Sequence, residues 1–403
     1  MLKLASLIVL LTGLSAAAYA QDAHQWLEPP QEARALEWAR QETQASQAQI
    51  GAMPGHAEIE AELKRLLAAG DPPPQFQLFG PVMLRLQRSV AHPHGVLSVA
   101  QRGANGAPGP WRAVLDVDAL RKAEGKAYEL RFGATSLVCA PPDYSRCILQ
   151  LSPQGGDEVE LREFDLKAGR FVEDGFRTTA SRALAAWLDR DRLLIEHTVG
   201  GAPALPTGWP ATVALWSRGT PLSAAKTIYR AQPKDALMAV GATGEGAQRV
   251  GVIMRAIDYS TIEHLVVRPD GAVEPTPLPR RIKMGLGTYG GGRIFVQLGE
   301  AAAVGGRTLP AESVVAYDTR ADLPEDRRLS LVYTPSAGDF LIDPFTGVAA
   351  GKTQLRMIVT RRGLQRIVTA RPEGAGWSIE NGAPEPVGVA VSLAAVDPAS
   401  EAL

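Results

Sequence analysis

From Trp111 onward, short β-type runs of apolar residues, some alternating with polar ones, recur along this chain. About every 50 residues one of them closes on an acidic, aromatic or Pro-Gly exit. The exits are Val114-Leu115-Asp116, Glu163-Phe164-Asp165, Ala214-Leu215-Trp216, Val266-Val267-Arg268-Pro269-Asp270-Gly271, Ala316-Tyr317-Asp318 and Thr369-Ala370-Arg371-Pro372-Glu373-Gly374. A period of roughly 40–50 residues carrying several short strands is the repeat of propeller blades. One blade cannot bury both faces of its own sheet, so blades must stack around an axis. Continued at that spacing, the next exit falls near position ~420, and the chain is expected to stop inside its last blade.

Within this β part the alternation is local. Residues 158–164 alternate polar and apolar, which predicts a half-exposed strand. Further strands are predicted over 183–188, 193–197, 212–216, 238–242, 249–257, 262–267, 356–360, 364–370 and 377–380, and residues 387–396 start a seventh set. Upstream the period changes. Trp26, Leu27, Ala33, Leu36, Trp38, Ile59, Leu63, Leu66 and Leu67 recur near helical spacing from Asp22 to about Gly70, interrupted at Gly51 to Gly55. Asp71-Pro72-Pro73-Pro74 breaks the helix and marks a boundary. The predicted organisation is a segment over 1–20, a helical segment over 21–72 and a propeller over 73–403.

The first segment reads as an export signal: Lys3, an apolar run from Leu4 to Leu14, and Ala18-Tyr19-Ala20 before Gln21. A periplasmic or secreted location follows, with no membrane span. Composition adds little else. The chain is 45% hydrophobic with 40 Gly and 30 Pro, enough for a large core joined by many turns. A formal net charge of −1 offers no electrostatic case for nucleic acid or an anionic membrane as partner.

Export draws attention to Cys139 and Cys147, which flank Ala-Pro-Pro-Asp-Tyr-Ser-Arg, a hairpin turn between strands over 135–138 and 148–151. Cross-strand cysteines in an oxidising compartment can form a disulfide; two buried free thiols are the alternative. With no histidine near them, zinc is not expected there.

Other motifs read blandly. No G-x-S-x-G nucleophile elbow is present: Ser15 and Ser378 have glycine two residues before but not after, and the last histidine is His264. No catalytic residue, cofactor or metal is therefore assigned. Gly347 to Thr353 has three residues between its glycines where a phosphate loop has four. His92-Pro93-His94 has no third ligand near it in sequence and reads as an exposed loop, and Asp116-Val117-Asp118 as a strand exit. Asp189-Arg190-Asp191 reads the same way. Trp26 and Trp38 lie close to one helical face and suit packing against a partner domain or the propeller rim.

Longer stretches resemble a known family. Trp26-Leu27-Glu28 with Ala35-Leu36-Glu37-Trp38, Trp111 to Leu120, Arg146-Cys147 to Asp165, Asp174-Gly175-Phe176, and Thr207 to Leu222 are similar, in order, to the N-terminal non-catalytic half of prolyl oligopeptidase-family serine peptidases. The segment from Thr178 to Arg182 departs from the family's usual Leu-Pro-x-x-Lys. The resemblance implies an all-β, seven-bladed propeller, its last blade incomplete, capping an α/β-hydrolase domain whose Ser-Asp-His site receives short peptides. That domain is the expected partner, missing from this chain or separate. The other reading is a stand-alone periplasmic propeller that binds peptide or protein without catalysis. Mass measurement with and without reduction and alkylation distinguishes paired from free Cys139 and Cys147: alkylation only after reduction is expected of the pair, and alkylation without it of free thiols.

Overall fold

The structure, a computed structural model, describes residues 24–28, 32–68, 70–104, 106–133, 136–283, 288–304, 306–342, 348–351, 353–386 and 393. The chain divides into two compact units, Met1–Gly70 and Asp71–Leu403. The expected export segment, and the expected seventh set over 387–396 apart from the buried Leu393, lie outside the described residues. Among those residues no helix is long and apolar enough to cross a membrane.

The first unit is helical, as its period predicts. A single 3-10 turn (Gln25–Leu27) precedes α1 (Ala33–Gly51) and α2 (His56–Ala68). The helices part where Gly55 takes φ +82°, a left-handed conformation that glycine adopts without steric cost. Trp26 and Trp38 meet edge to face at 6.1 Å, with the Arg34 guanidinium 4.2 Å from the Trp26 ring centre. Ile59, Leu63, Leu66 and Leu67 stay exposed.

The second unit is built of antiparallel sheets whose strands follow chain order. The first sheet joins β1 (Gln75–Phe79), β2 (Val82–Gln87), β3 (Val96–Gln101) and β4 (Arg112–Asp116). Helix α3 (Val117–Glu124) leads to the second, where β5 (Tyr128–Arg131) and β6 (Leu137–Cys139) both pair with β7 (Arg146–Pro153), followed by β8 (Glu160–Asp165) and β9 (Arg170–Phe171). The third contains β10 (Ala183–Asp189), β11 (Arg192–His197), β12 (Thr212–Ser217) and β13 (Lys226–Arg230). The fourth contains β14 (Leu237–Thr243), β15 (Val250–Ala256), β16 (Ile262–Val267) and β17 (Val273–Pro275). In the fifth, β18 (Thr288–Gly290) and β19 (Arg293–Gln297) precede an inserted hairpin, β20 (Ala302–Val304) and β21 (Arg307–Leu309). That sheet resumes with β22 (Val314–Asp318) and, after the short α4 (Glu325–Arg328), β23 (Leu329–Tyr333). In the sixth, β24 (Phe340–Leu341) and β25 (Val348–Ala350) flank β26 (Leu355–Arg361), then come β27 (Leu364–Glu373) and β28 (Gly376–Asn381). This is the predicted all-β propeller architecture, preceded by helices.

Consecutive sheets are held together by apolar seams. Leu84, Leu86 and Leu97 of the first sheet meet Tyr128, Leu149 and Phe164 of the second. Leu161 meets Trp187 and Ile195, Leu194 meets Ile253 and Val267, Val252 and Met254 meet Ile294 and Val315, and Phe295 meets Met357 and Val368. The two-residue period of a strand explains the pattern: on β11, Leu193 and Ile195 face the second sheet while Leu194 faces the fourth. Each such side chain, fully buried, stabilises the fold by about 1.5–3 kcal/mol. The approach is close enough that a Cβ on Gly251 would meet Leu194 Cδ1 at 2.1 Å. From the second sheet to the sixth, strands at one edge of neighbouring sheets run side by side, β6 with β10, β10 with β14, β14 with β18, and β18 with β25.

One expectation needs correction. The alternating strand at β8 is not half-exposed: Glu160, Arg162 and Glu163 are as buried as Leu161 and Phe164, because a sheet is stacked on each face. Five of the six exits close or lie in the third main strand of a sheet, but Asp116 closes the fourth strand of the first. The segment after Asp116 is helix α3, capped by the Asp116 carboxylate accepting from Ala119 N at 3.0 Å and ended by Gly125 at φ +65°.

One seam carries an unmatched acid. Glu196 on β11 is fully buried, and neither carboxylate oxygen has a hydrogen-bond partner. Burial pushes its pKa well above the usual carboxylate range. An acid held neutral in the fold and ionised when unfolded contributes a stability term that is intact below the unfolded pKa. That term is lost as pH rises toward the folded value. Glu196→Met should therefore stabilise the protein by about 1–3 kcal/mol at neutral pH, with the gain shrinking toward pH ~4. Urea melts of both proteins across that range check this; a gain independent of pH would contradict it.

Candidate functional site

The edge of the first two sheets forms an open cleft of ≈ 380 Å³ lined by Gln75 on β1, Arg88 after β2, Glu129 and Arg131 on β5, Phe132, and Ser152 on β7. Two guanidiniums, one carboxylate, hydroxyl and amide groups and an aromatic ring give it a mixed polar character. Arg131 donates from Nη2 to the Gly156 carbonyl at 2.6 Å, while its Nε is buried without a partner. Glu129 is held by His94 Nδ1 at 2.6 Å and Arg121 Nη1 at 3.3 Å.

Several motifs singled out in the sequence converge on the seam between the second and third sheets. Phe176 stands edge-on between Trp187 and Trp216, with ring centres 5.6 and 4.8 Å away. Arg218 lies 4.9 Å from the Phe176 ring centre and donates to both oxygens of the buried Glu163, at 2.9 and 3.0 Å. Glu163 also accepts from Phe176 N at 3.0 Å. The neighbours of Glu163 on β8 are matched too. Glu160 accepts from Lys126 at 2.6 Å and from the Tyr128 hydroxyl at 2.8 Å, and Arg162 reaches Glu124 at 2.7 Å. Gly175 is required here, since a Cβ would lie 2.7 Å from Val172 Cβ and 2.9 Å from Glu163 Cβ. These motif residues assemble the scaffold; the described residues do not bring them to a reactive centre.

Cys139 on β6 is the direct register partner of Cys147 on β7, and the structure joins the two by a disulfide. Ser378 sits on β28 with its hydroxyl turned to the Arg371 carbonyl at 3.5 Å. His264 lies on β16 against Tyr289, so those two residues do not meet. Asp189 and Asp191 make turn contacts to Arg192 and Arg218. Ser15, Gly347 and Lys352 lie outside the described residues, and the segment from Leu355 is a strand. The two motifs read as a loop and a strand exit do meet: His92 Nδ1 lies 3.1 Å from Asp116 Oδ2, and His94 N donates to Asp118 Oδ2 at 3.1 Å. Sequence reasoning missed this because the β2–β3 turn and α3 are separated by two strands. The Asp cap and closing Gly125 of α3 are the signals that could have located it.

Comparison with known proteins agrees with this architecture. The profile of the prolyl oligopeptidase N-terminal beta-propeller domain matches residues 15–264, more than half of the chain. An uncharacterized peptidase of Sinorhizobium fredii is 28% identical over 225 residues, covering 54% of this chain and 30% of that protein. The structure of a post-proline cleaving enzyme from Rickettsia typhi superposes with a TM-score of 0.71 at 17% identity, over 90% of this chain and 53% of that one. Oligopeptidase B from Leishmania major gives a TM-score of 0.59 at 14% identity, over 88% and 48%. The chain thus spans about half the length of these solved structures or less. At these identities the structural likeness establishes the fold alone.

Arg218→Ala removes two charge-assisted hydrogen bonds to the buried Glu163 and leaves Arg146, 3.9 Å away, as its remaining cation. It should cost about 1.5–3 kcal/mol, read as a lower urea midpoint. A change within the spread of ordinary surface substitutions would show that the Glu163 clamp is not what holds this seam.

Proposed function

Because the chain belongs to the prolyl oligopeptidase family through its N-terminal β-propeller domain, we propose that it is the substrate-gating part of an exported serine peptidase that acts on short peptides. The observation that carries this reading is the stack of sheets held by continuous seams, with strands at one edge of neighbouring sheets side by side from the second sheet to the sixth. Such a scaffold acts by exclusion. Close-packed interiors deform little, so a stack joined by buried apolar seams yields too little to admit a folded protein, whereas an extended peptide is narrow. The cleft at Arg88, Glu129 and Arg131 supports the same reading, since it offers charge of both signs to a chain with an amine and a carboxylate end.

Chemistry belongs to an α/β-hydrolase domain as partner. There a serine, activated by histidine, attacks the peptide carbonyl, and backbone donors stabilise the oxyanion. In this proposal the propeller supplies no reacting group. The exposed apolar residues of α2, Ile59, Leu63, Leu66 and Leu67, suit burial against such a domain. Export rests on the leader-like residues 1–20 and gives a mature chain beginning at Gln21, which intact-mass measurement of the secreted protein checks.

The 403-residue chain alone is expected to hydrolyse no peptide or ester substrate. Joined to a hydrolase domain of the family, it should permit cleavage of short fluorogenic peptides and leave folded proteins intact. Turnover by the chain alone that a serine-directed phosphonate blocks would overturn the division of labour. Cleavage of folded proteins by the joined form would overturn gating.

A further inference from the structure

The turn between β2 and β3 and the start of α3 make an arrangement that the peptidase reading leaves unused. His92, Asp116 and Asp118 each offer one ligand atom, and these atoms all lie within 4.8 Å of one another. The 3.1 Å from His92 Nδ1 to Asp116 Oδ2 is close to the ~3.3 Å that separates two donors of a tetrahedral ion bound at about 2.0–2.1 Å. Both carboxylates are already aimed. Asp116 Oδ1 accepts from Ala119 N at 3.0 Å and Asp118 Oδ2 from His94 N at 3.1 Å; of the remaining oxygens, Asp116 Oδ2 faces His92 Nδ1 and Asp118 Oδ1 lies 3.9 Å from His94 Nε2, beyond hydrogen-bond reach. His92 Nδ1 is shielded from solvent and, despite the carboxylate beside it, makes no hydrogen bond.

We propose that His92, Asp116 and Asp118 bind one divalent first-row metal ion, of which Zn²⁺ is the matching probe. One imidazole nitrogen with two carboxylate oxygens is a borderline donor set. It lacks the thiolates that select soft ions and the six to eight oxygens that calcium takes. Two carboxylates this close repel one another, and a dication neutralises both where the first turn of α3 offers only a partial positive charge. Water completes the coordination. Because the ligands come from the β2–β3 turn, the end of β4 and the first turn of α3, the ion ties the first sheet to that helix. Binding only the folded form, it raises stability.

Calorimetric titration of ZnCl₂ into the metal-stripped full chain tests this, with thermal unfolding as the second readout. One site is expected, weakened more than about tenfold by His92→Ala and by Asp118→Asn. The latter keeps an oxygen to accept from His94 N and leaves the Asp116 cap of α3 untouched, while the charge is lost. His56→Ala in α2, where His56 and Glu60 lie 4.0 Å apart, should leave the site unchanged. Zinc should raise the melting temperature of the parent and not of His92→Ala. No uptake by the parent, or equal uptake by His92→Ala and the parent, would overturn the site and reduce the cluster to ion pairs that cap a helix.

Discussion

Burial of the second to fifth sheets on both faces is the constraint from which the rest of this structure follows. A sheet with one wet face can place its polar residues there; a stacked sheet has nowhere to put them except inside a seam. Apolar positions fill the seams by the two-residue alternation, as at Leu193, Leu194 and Ile195. Polar positions that share those strands must then bring their partners with them. On β8 they do: Glu160, Arg162 and Glu163 are each matched by a side chain from another element. At Glu196 on β11 they do not, and burial raises the carboxyl's pKa well above the usual carboxylate range.

The same constraint explains what the family motifs are for. The stretch around Glu163, the Gly175-Phe176 pair and the Trp216 to Arg218 segment lie up to 55 residues apart in the chain yet form a single knot. Arg218 closes it by reaching from the third sheet to a carboxylate on the second. A motif spread over two repeats in this way is the signature of a contact between repeats. Here it marks the stacking of the second sheet on the third.

Much of the architecture was legible in the sequence. The strands at 183–188, 193–197, 212–216 and 262–267 stand nearly where their patterns place them, because short apolar runs between turn signals leave little choice. The Gly51 to Gly55 break between α1 and α2 was equally plain. What escaped was everything that depends on stacking. Alternation at β8 reports strand but cannot report that both faces are covered. The first sheet, whose exit phase differs from the others, lacks the acidic stop after its third strand. The meeting of His92 with Asp116 depends on how β3 and β4 fold back, which no local spacing encodes. The candidate site was the least legible part, since a cleft lined from β1, β5 and β7 exists only once two sheets are side by side.

If seams rather than individual sheets are the units of stability, native-state hydrogen exchange resolved by strand decides the matter most directly. Amides of β11, β15 and β19, which lie between two seams, should exchange only through global unfolding and with one common free energy. Exchange of the third, fourth and fifth sheets with separate, lower free energies would mean that each sheet stands alone, and the account of stacked sheets bound by shared seams would fail.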